Sequence, residues 1–188
     1  MDTGFARRIT YLTLMGAAAL VVAWVLGVAL NLSLGPAFGG ILNAFATAFV
    51  VGVAVVGVKK WYSPVVVWLV FSVLAWPTIT MGPPGPHKIL IGLATGLLVA
   101  LLLAMPIFRT KHSWIKYFIA GAAMSAFMTY LILLAMLYLN LSPESAAKLK
   151  DALPFLLPLY AGLGGAGFAV AYRVFENKLS RLSYFSNL

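Results

Sequence analysis

Six apolar runs, near residues 9–30, 37–58, 62–80, 88–108, 115–139 and 153–173, constrain this chain more than any other feature. Each is about 19 to 25 residues long, enough to cross a hydrocarbon core of about 30 Å as a helix rising 1.5 Å per residue. None alternates apolar with polar residues, so a transmembrane barrel is not expected. Hydrophobic residues make up 63% of the chain and charged residues 9%. A soluble domain carries about 45–50% apolar and about 25% charged residues, so too little polar surface is present here to cover a water-soluble core. The reading is an all-α integral membrane protein: one membrane domain over 1–188, a bundle of six transmembrane helices with structured outer loops.

The formal net charge of +9 does not point to nucleic acid. The basic residues flank apolar runs and form no face. The chain has no cysteine, which excludes disulfides and thiolate chemistry. The first apolar run is longer than the core of a secretory signal and is followed by no clear cleavage site, so it is expected to stay as a span. Arg7-Arg8 reads as its positive flank.

Charge also orients the spans. With the N-terminus inside, Arg7, Arg8, Lys59, Lys60, Arg109, Lys111, Lys116, Arg173, Lys178 and Arg181 fall on the cytoplasmic side, against Lys88, Lys148 and Lys150 outside. This bias predicts a multi-pass protein of the cell membrane with both termini cytoplasmic. The inner connections, around 59–62 and 109–112, are short and basic. The outer ones, 31–36, 81–88 and 140–151, are rich in turn formers. Three prolines and two glycines in Gly82-Pro83-Pro84-Gly85-Pro86 enforce a non-helical backbone. Ser142 can cap a short outer helix begun by Pro143 and Glu144. Loops of this kind suit either a lid over a pocket or ordinary connections.

No Asp, Glu, Lys, Arg or His lies in the central part of any span, whereas proton-coupled carriers and intramembrane hydrolases usually need a buried ionisable group. His87 and His112 fall on opposite sides of the membrane, so no shared metal site is expected, and no Ser-His-Asp set is visible. The run Gly162 to Gly167 has a dinucleotide-binding spacing, but it lies inside an apolar helix with no preceding strand and reads as helix packing. No phosphate-binding GxxxxGK[ST] motif occurs. The chain is therefore read as no enzyme and without cofactor or metal.

Small residues recur at helical spacing: Ala19, Ala23 and Gly27; Ala44, Ala48 and Gly52; Gly92, Gly96, Ala100 and Ala104. Such ridges allow close helix contact, within the chain or with another membrane subunit. Polar and aromatic residues gather at the outer ends of the spans, among them Asn43, Trp76, Thr80, His87, Lys88, Thr129, Tyr138, Asn140 and Tyr160. They are either interfacial anchors or the wall of a ligand pocket; Asn43 weighs toward a pocket, because an amide inside a span needs a partner.

Three stretches resemble the substrate-binding (S) component of energy-coupling-factor (ECF) transporters: Ala19-Leu20-Val21-Val22-Ala23, like that family's docking motif on the first helix; Gly82 to Pro86 with the Gly92 and Gly96 ridge; and the glycine-rich last helix ending in a basic tail. The likeness covers nearly the whole chain. It implies a lipid-embedded, high-affinity binding subunit for a vitamin or similar micronutrient, working with a membrane-spanning coupling subunit and two ATPases. The small-molecule site would then lie under the outer loops, at Asn43, Trp76, Thr80, His87, Lys88, Tyr138, Asn140 and Glu144, and partner docking at Ala19 and Ala23. The competing readings are a stand-alone small-solute carrier or channel, and a ligand-free accessory membrane protein.

Overall fold

A computed structural model describes residues 3–34, 36–105, 113–141 and 143–177. Among them are six helices and no strand: α1 (Thr3–Leu34), α2 (Pro36–Val58), α3 (Ser63–Ala75), α4 (His87–Ala104), α5 (Ser113–Tyr138) and α6 (Pro143–Asn177). Four of these contain stretches long and apolar enough to cross a membrane: Gly4–Gly27, His87–Ala104, Trp114–Tyr138 and Pro143–Asn177. Leu42–Val58 and Ser63–Ala75 are shorter apolar segments.

The helices close into a ring. α1 packs on α2, α2 on α6, α6 on α5, α5 on α4, α4 on α3, and α3 back on α1. One hydrophobic core joins all six, with Leu12, Val51, Trp68, Val99, Met124 and Phe168 among its buried members. The outward faces carry large exposed apolar side chains, including Leu14, Val21, Trp24, Leu90, Leu101 and Phe155.

Glycine sets the closest approaches. A Cβ on Gly92 would stand 2.8 Å from the Trp68 carbonyl, and one on Gly96 would stand 2.8 Å from the Val65 Cα. The expected Gly92–Gly96 ridge is thus the seam between α4 and α3. In the glycine-rich run of α6, a Cβ on Gly164 would stand 2.6 Å from the Gly121 carbonyl of α5, while Gly162 has nothing within 4 Å. This run serves helix packing.

Three expectations need correction. The segment expected as one span over 62–80 is helical only to Ala75. Pro77 has no N–H for the Val73 carbonyl, which instead accepts the Trp76 N–H at 3.4 Å, and the chain turns out of the helix. The turn expected over 31–36 is narrower: α1 runs to Leu34 and α2 starts at Pro36, leaving Gly35, which lies outside the described residues. The short outer helix and the last span are one helix of 35 residues, continuous through Pro154 and Pro158. The expected cap Ser142, the inner connection 109–112 and the basic residues Lys178 and Arg181 lie outside the described residues.

Candidate ligand cavity

A cavity of about 280 Å³ lies inside the ring, toward the end that carries the loop joining α3 to α4. This is just under the range of about 300–1,000 Å³ common for small-molecule sites, so it suits a small ligand. α2 supplies Asn43, Ala44, Thr47 and Ala48, and α1 supplies Ala23. α3 gives Trp68 and Phe71; α5 gives Met124, Ser125, Met128, Thr129 and Ile132. Leu149 and Tyr160 of α6 complete the wall, and Thr80, Met81 and Gly82 of the loop form the roof. None of these side chains is charged.

The helical repeat produces the wall. Asn43 and Thr47, Met124 and Met128, and Ser125 and Thr129 are each one turn apart, so both members of a pair face the same way. Trp68 and Phe71 share a face of α3 and meet edge to face, with ring centroids 5.1 Å apart. The Trp68 Nε1–H points to the Met124 sulfur at 3.3 Å and ties α3 to α5.

Asn43 is partnered within the protein. Its Nδ2 donates to the Ala23 carbonyl at 3.1 Å, and its Oδ1 accepts from the Thr47 hydroxyl at 3.0 Å. Because the Ala23 carbonyl can only accept, the amide nitrogen must face it. That pairing uses one of two amide hydrogens and one of two oxygen lone pairs, so Asn43 retains capacity for a ligand. The Thr129 hydroxyl donates to the Ser125 carbonyl at 2.8 Å. The wall therefore offers hydroxyl and amide groups on an aromatic and thioether surface.

The roof is held from below. Met81 and Gly82 both adopt positive φ, 64° and 89°, a tight reversal that the glycine accepts freely and the methionine does not. The Thr78 hydroxyl donates to the Ala75 carbonyl at 2.9 Å and accepts the Thr80 N–H at 3.1 Å, while the Gly85 N–H reaches the Trp76 carbonyl at 3.2 Å. Lys88, wholly buried, donates through Nζ to the carbonyls of Ala75 at 3.1 Å and Thr78 at 2.6 Å.

Of the eight residues expected at the site, Asn43 and Thr80 line this cavity. Trp76 is 46% exposed and caps α3; Tyr138 is 84% exposed beyond the wall of α5. Asn140 turns the chain after α5 with φ 50°. Glu144 is exposed and pairs with Lys148 at 2.6 Å along α6. His87 opens α4, and Lys88 is committed to the carbonyls of Ala75 and Thr78; neither lines the cavity. For Trp76 the reason is the early end of α3, which places the loop, rather than a longer helix, above the cavity.

Ala19 and Ala23, expected as an outward docking ridge, are buried, and Ala23 borders the cavity. That face of α1 packs within the ring. Trp68, Phe71, Thr47, Met124, Ser125 and Met128 escape the sequence reading because they lie deep in apolar runs. Their pairing at three- and four-residue spacing is the signal that could have found them.

No protein-family model, no curated protein and no solved structure matches this chain.

Proposed function

We propose that the chain is a membrane-embedded binding subunit that holds a small uncharged solute in the cavity beneath the α3–α4 loop, as an ECF S component does for its micronutrient. The observation that carries this reading is a roofed cavity whose wall mixes hydroxyl, amide, aromatic and thioether groups without a charge. A neutral solute with one apolar face and a few hydrogen-bonding groups matches that wall, whereas a free carboxylate or phosphate would meet no compensating cation.

Several features support the membrane setting. Large exposed apolar side chains cover the outward faces, far more than a soluble monomer tolerates. Their number fits helices solvated by lipid, with the basic end in the cytoplasm. Below the cavity the ring is filled by Val51, Val55, Val67, Val99 and Phe168, all buried, which argues against a continuous aqueous channel. A subunit that binds at one end and has no path through it needs a partner to release its solute. In this proposal the partner is a membrane-spanning coupling subunit driven by two ATPases, docked on a surface other than the inward-facing Ala19 and Ala23.

Native mass spectrometry of the purified protein tests the reading. The expected result is a co-purified neutral small molecule, lost when Ala44→Leu fills the cavity of a folded variant. Retention of the same mass in that variant overturns the assignment of the cavity as the site.

A further inference from the structure

The opposite end of the ring holds a second cleft, of about 320 Å³, whose chemistry is the reverse of the first. Lys59, Lys60 and Lys116 line it, and no acidic side chain is among its described lining residues. Lys59 closes α2 with a positive φ of 52°, its N–H bonded to the Val55 carbonyl at 3.0 Å, and this turn sets Lys60 and Trp61 at the rim. The nearest carboxylate partner is Glu176 of α6, 3.2 Å from the Lys59 Nζ, which leaves a net positive charge at the cleft.

Two further features favour an anion. α3 begins at this cleft, with Pro64 in the lining, and no side-chain hydrogen bond caps its N-terminus. The Ser63 N–H is bonded to the Lys60 carbonyl at 3.0 Å and Pro64 has no N–H, so the helix contributes through the positive end of its dipole, which reinforces the three ammonium groups. Beside Tyr117, the remaining wall has an apolar stretch formed by Val55, Ala100, Leu103 and Ala104, and Trp61 at the rim is 71% exposed. A basic pocket between helices that continues into an apolar wall, beside an exposed tryptophan, has the make-up of a lipid-headgroup site at a membrane interface.

We infer that this cleft binds a phosphate group, and that the group belongs to an anionic phospholipid whose acyl chain lies along α4. This inference is independent of the solute cavity. The lysines supply charge-assisted hydrogen bonds to the phosphate oxygens. The α4 wall supplies contact to the chain, which a free phosphate would leave bare.

The test is lipid retention by the full chain in native mass spectrometry, with phosphatidylglycerol and phosphatidylcholine of identical acyl chains and with inorganic phosphate alone. The expected result is a preference of about thirtyfold to a hundredfold for phosphatidylglycerol, as two or three nearby lysines would give. The preference should vanish in Lys60→Gln/Lys116→Gln and persist in Lys148→Gln/Lys150→Gln, which alters lysines at the other end. Ala104→Trp obstructs the apolar wall without touching a charge and should lower retention as well, so the inference stays testable if the double variant does not fold. Binding of inorganic phosphate with no preference between the lipids would support the phosphate site and assign it to a soluble ligand. Equal retention of both lipids with no phosphate binding, or an undiminished preference in the folded double variant, overturns it.

Discussion

The Lys88 Nζ stands 2.6 Å from the Thr78 carbonyl and 3.1 Å from that of Ala75, so a cation at the start of α4 caps the end of α3 and fixes the roof between them. The carbonyls at a helix C-terminus carry partial negative charge, and this is where an ammonium group is most useful. Replacing Lys88 by Met keeps much of the stem and leaves both carbonyls short of a donor. The expected loss is about 1–3 kcal/mol of stability, the usual cost of unpaired buried polar groups. Thermal unfolding in detergent measures it, and an unchanged midpoint would remove the capping role.

Asn43, Thr47 and Trp68 should differ in what they contribute to stability. Asn43→Ala breaks the link between α2 and the Ala23 carbonyl and should weaken both stability and solute retention. Thr47→Val keeps the shape and removes one hydroxyl donor, at about 1 kcal/mol. Trp68→Ala empties a core position and should cost about 3–5 kcal/mol. Denaturation midpoints alongside retention of the co-purified molecule give this ranking; a Thr47 variant less stable than the Trp68 variant would contradict it.

Two glycines of one run should respond in opposite ways. Gly164→Ala drives a methyl into the Gly121 carbonyl and should destabilise by about 1–3 kcal/mol. Gly162→Ala meets nothing within 4 Å and should stabilise α6 by about 0.5–1 kcal/mol through helix propensity. Equal effects would mean that the α5–α6 contact is looser than these distances imply.

The absence of cysteine makes sidedness simple to read. Single cysteines at Lys60 and Pro84, both exposed and at opposite ends of the ring, should label from opposite sides of intact cells. An impermeant maleimide applied outside should reach position 84 alone. Reaction at both would refute the proposed orientation.

Much of the fold is legible in the sequence, because apolar length and glycine spacing are local properties. The connection at 59–62 falls where expected, and the Gly92–Gly96 ridge is a packing seam between α4 and α3. The site is less legible for a physical reason. Polar residues near span ends, such as Trp76, Tyr138 and Glu144, stand out from the apolar background, yet their side chains are exposed. The side chains that form the wall are Met, Phe, Trp, Ser and Thr, which an apolar helix tolerates anywhere. Which of them face a cavity depends on the order of helices around the ring, and that order is a tertiary property. Lys88 illustrates the same limit: its position suggests an anion site, whereas backbone carbonyls thirteen and ten residues earlier take its charge.

The continuity of α6 has a thermodynamic consequence. Leu149 borders the solute cavity, while Glu176, 27 residues further along the same helix, bonds to Lys59 at the phosphate cleft. At 1.5 Å per residue the two points are about 40 Å apart along one rod, interrupted only where Pro154 and Pro158 withhold amide donors. Were a solute to shift the rod as a whole, it would alter how firmly Glu176 holds Lys59, and so the charge offered to an anion. Linkage then requires reciprocity: whatever factor the solute imposes on anion affinity, the anion imposes on solute affinity. Lipid composition would thereby enter the binding equilibrium of a site it never touches.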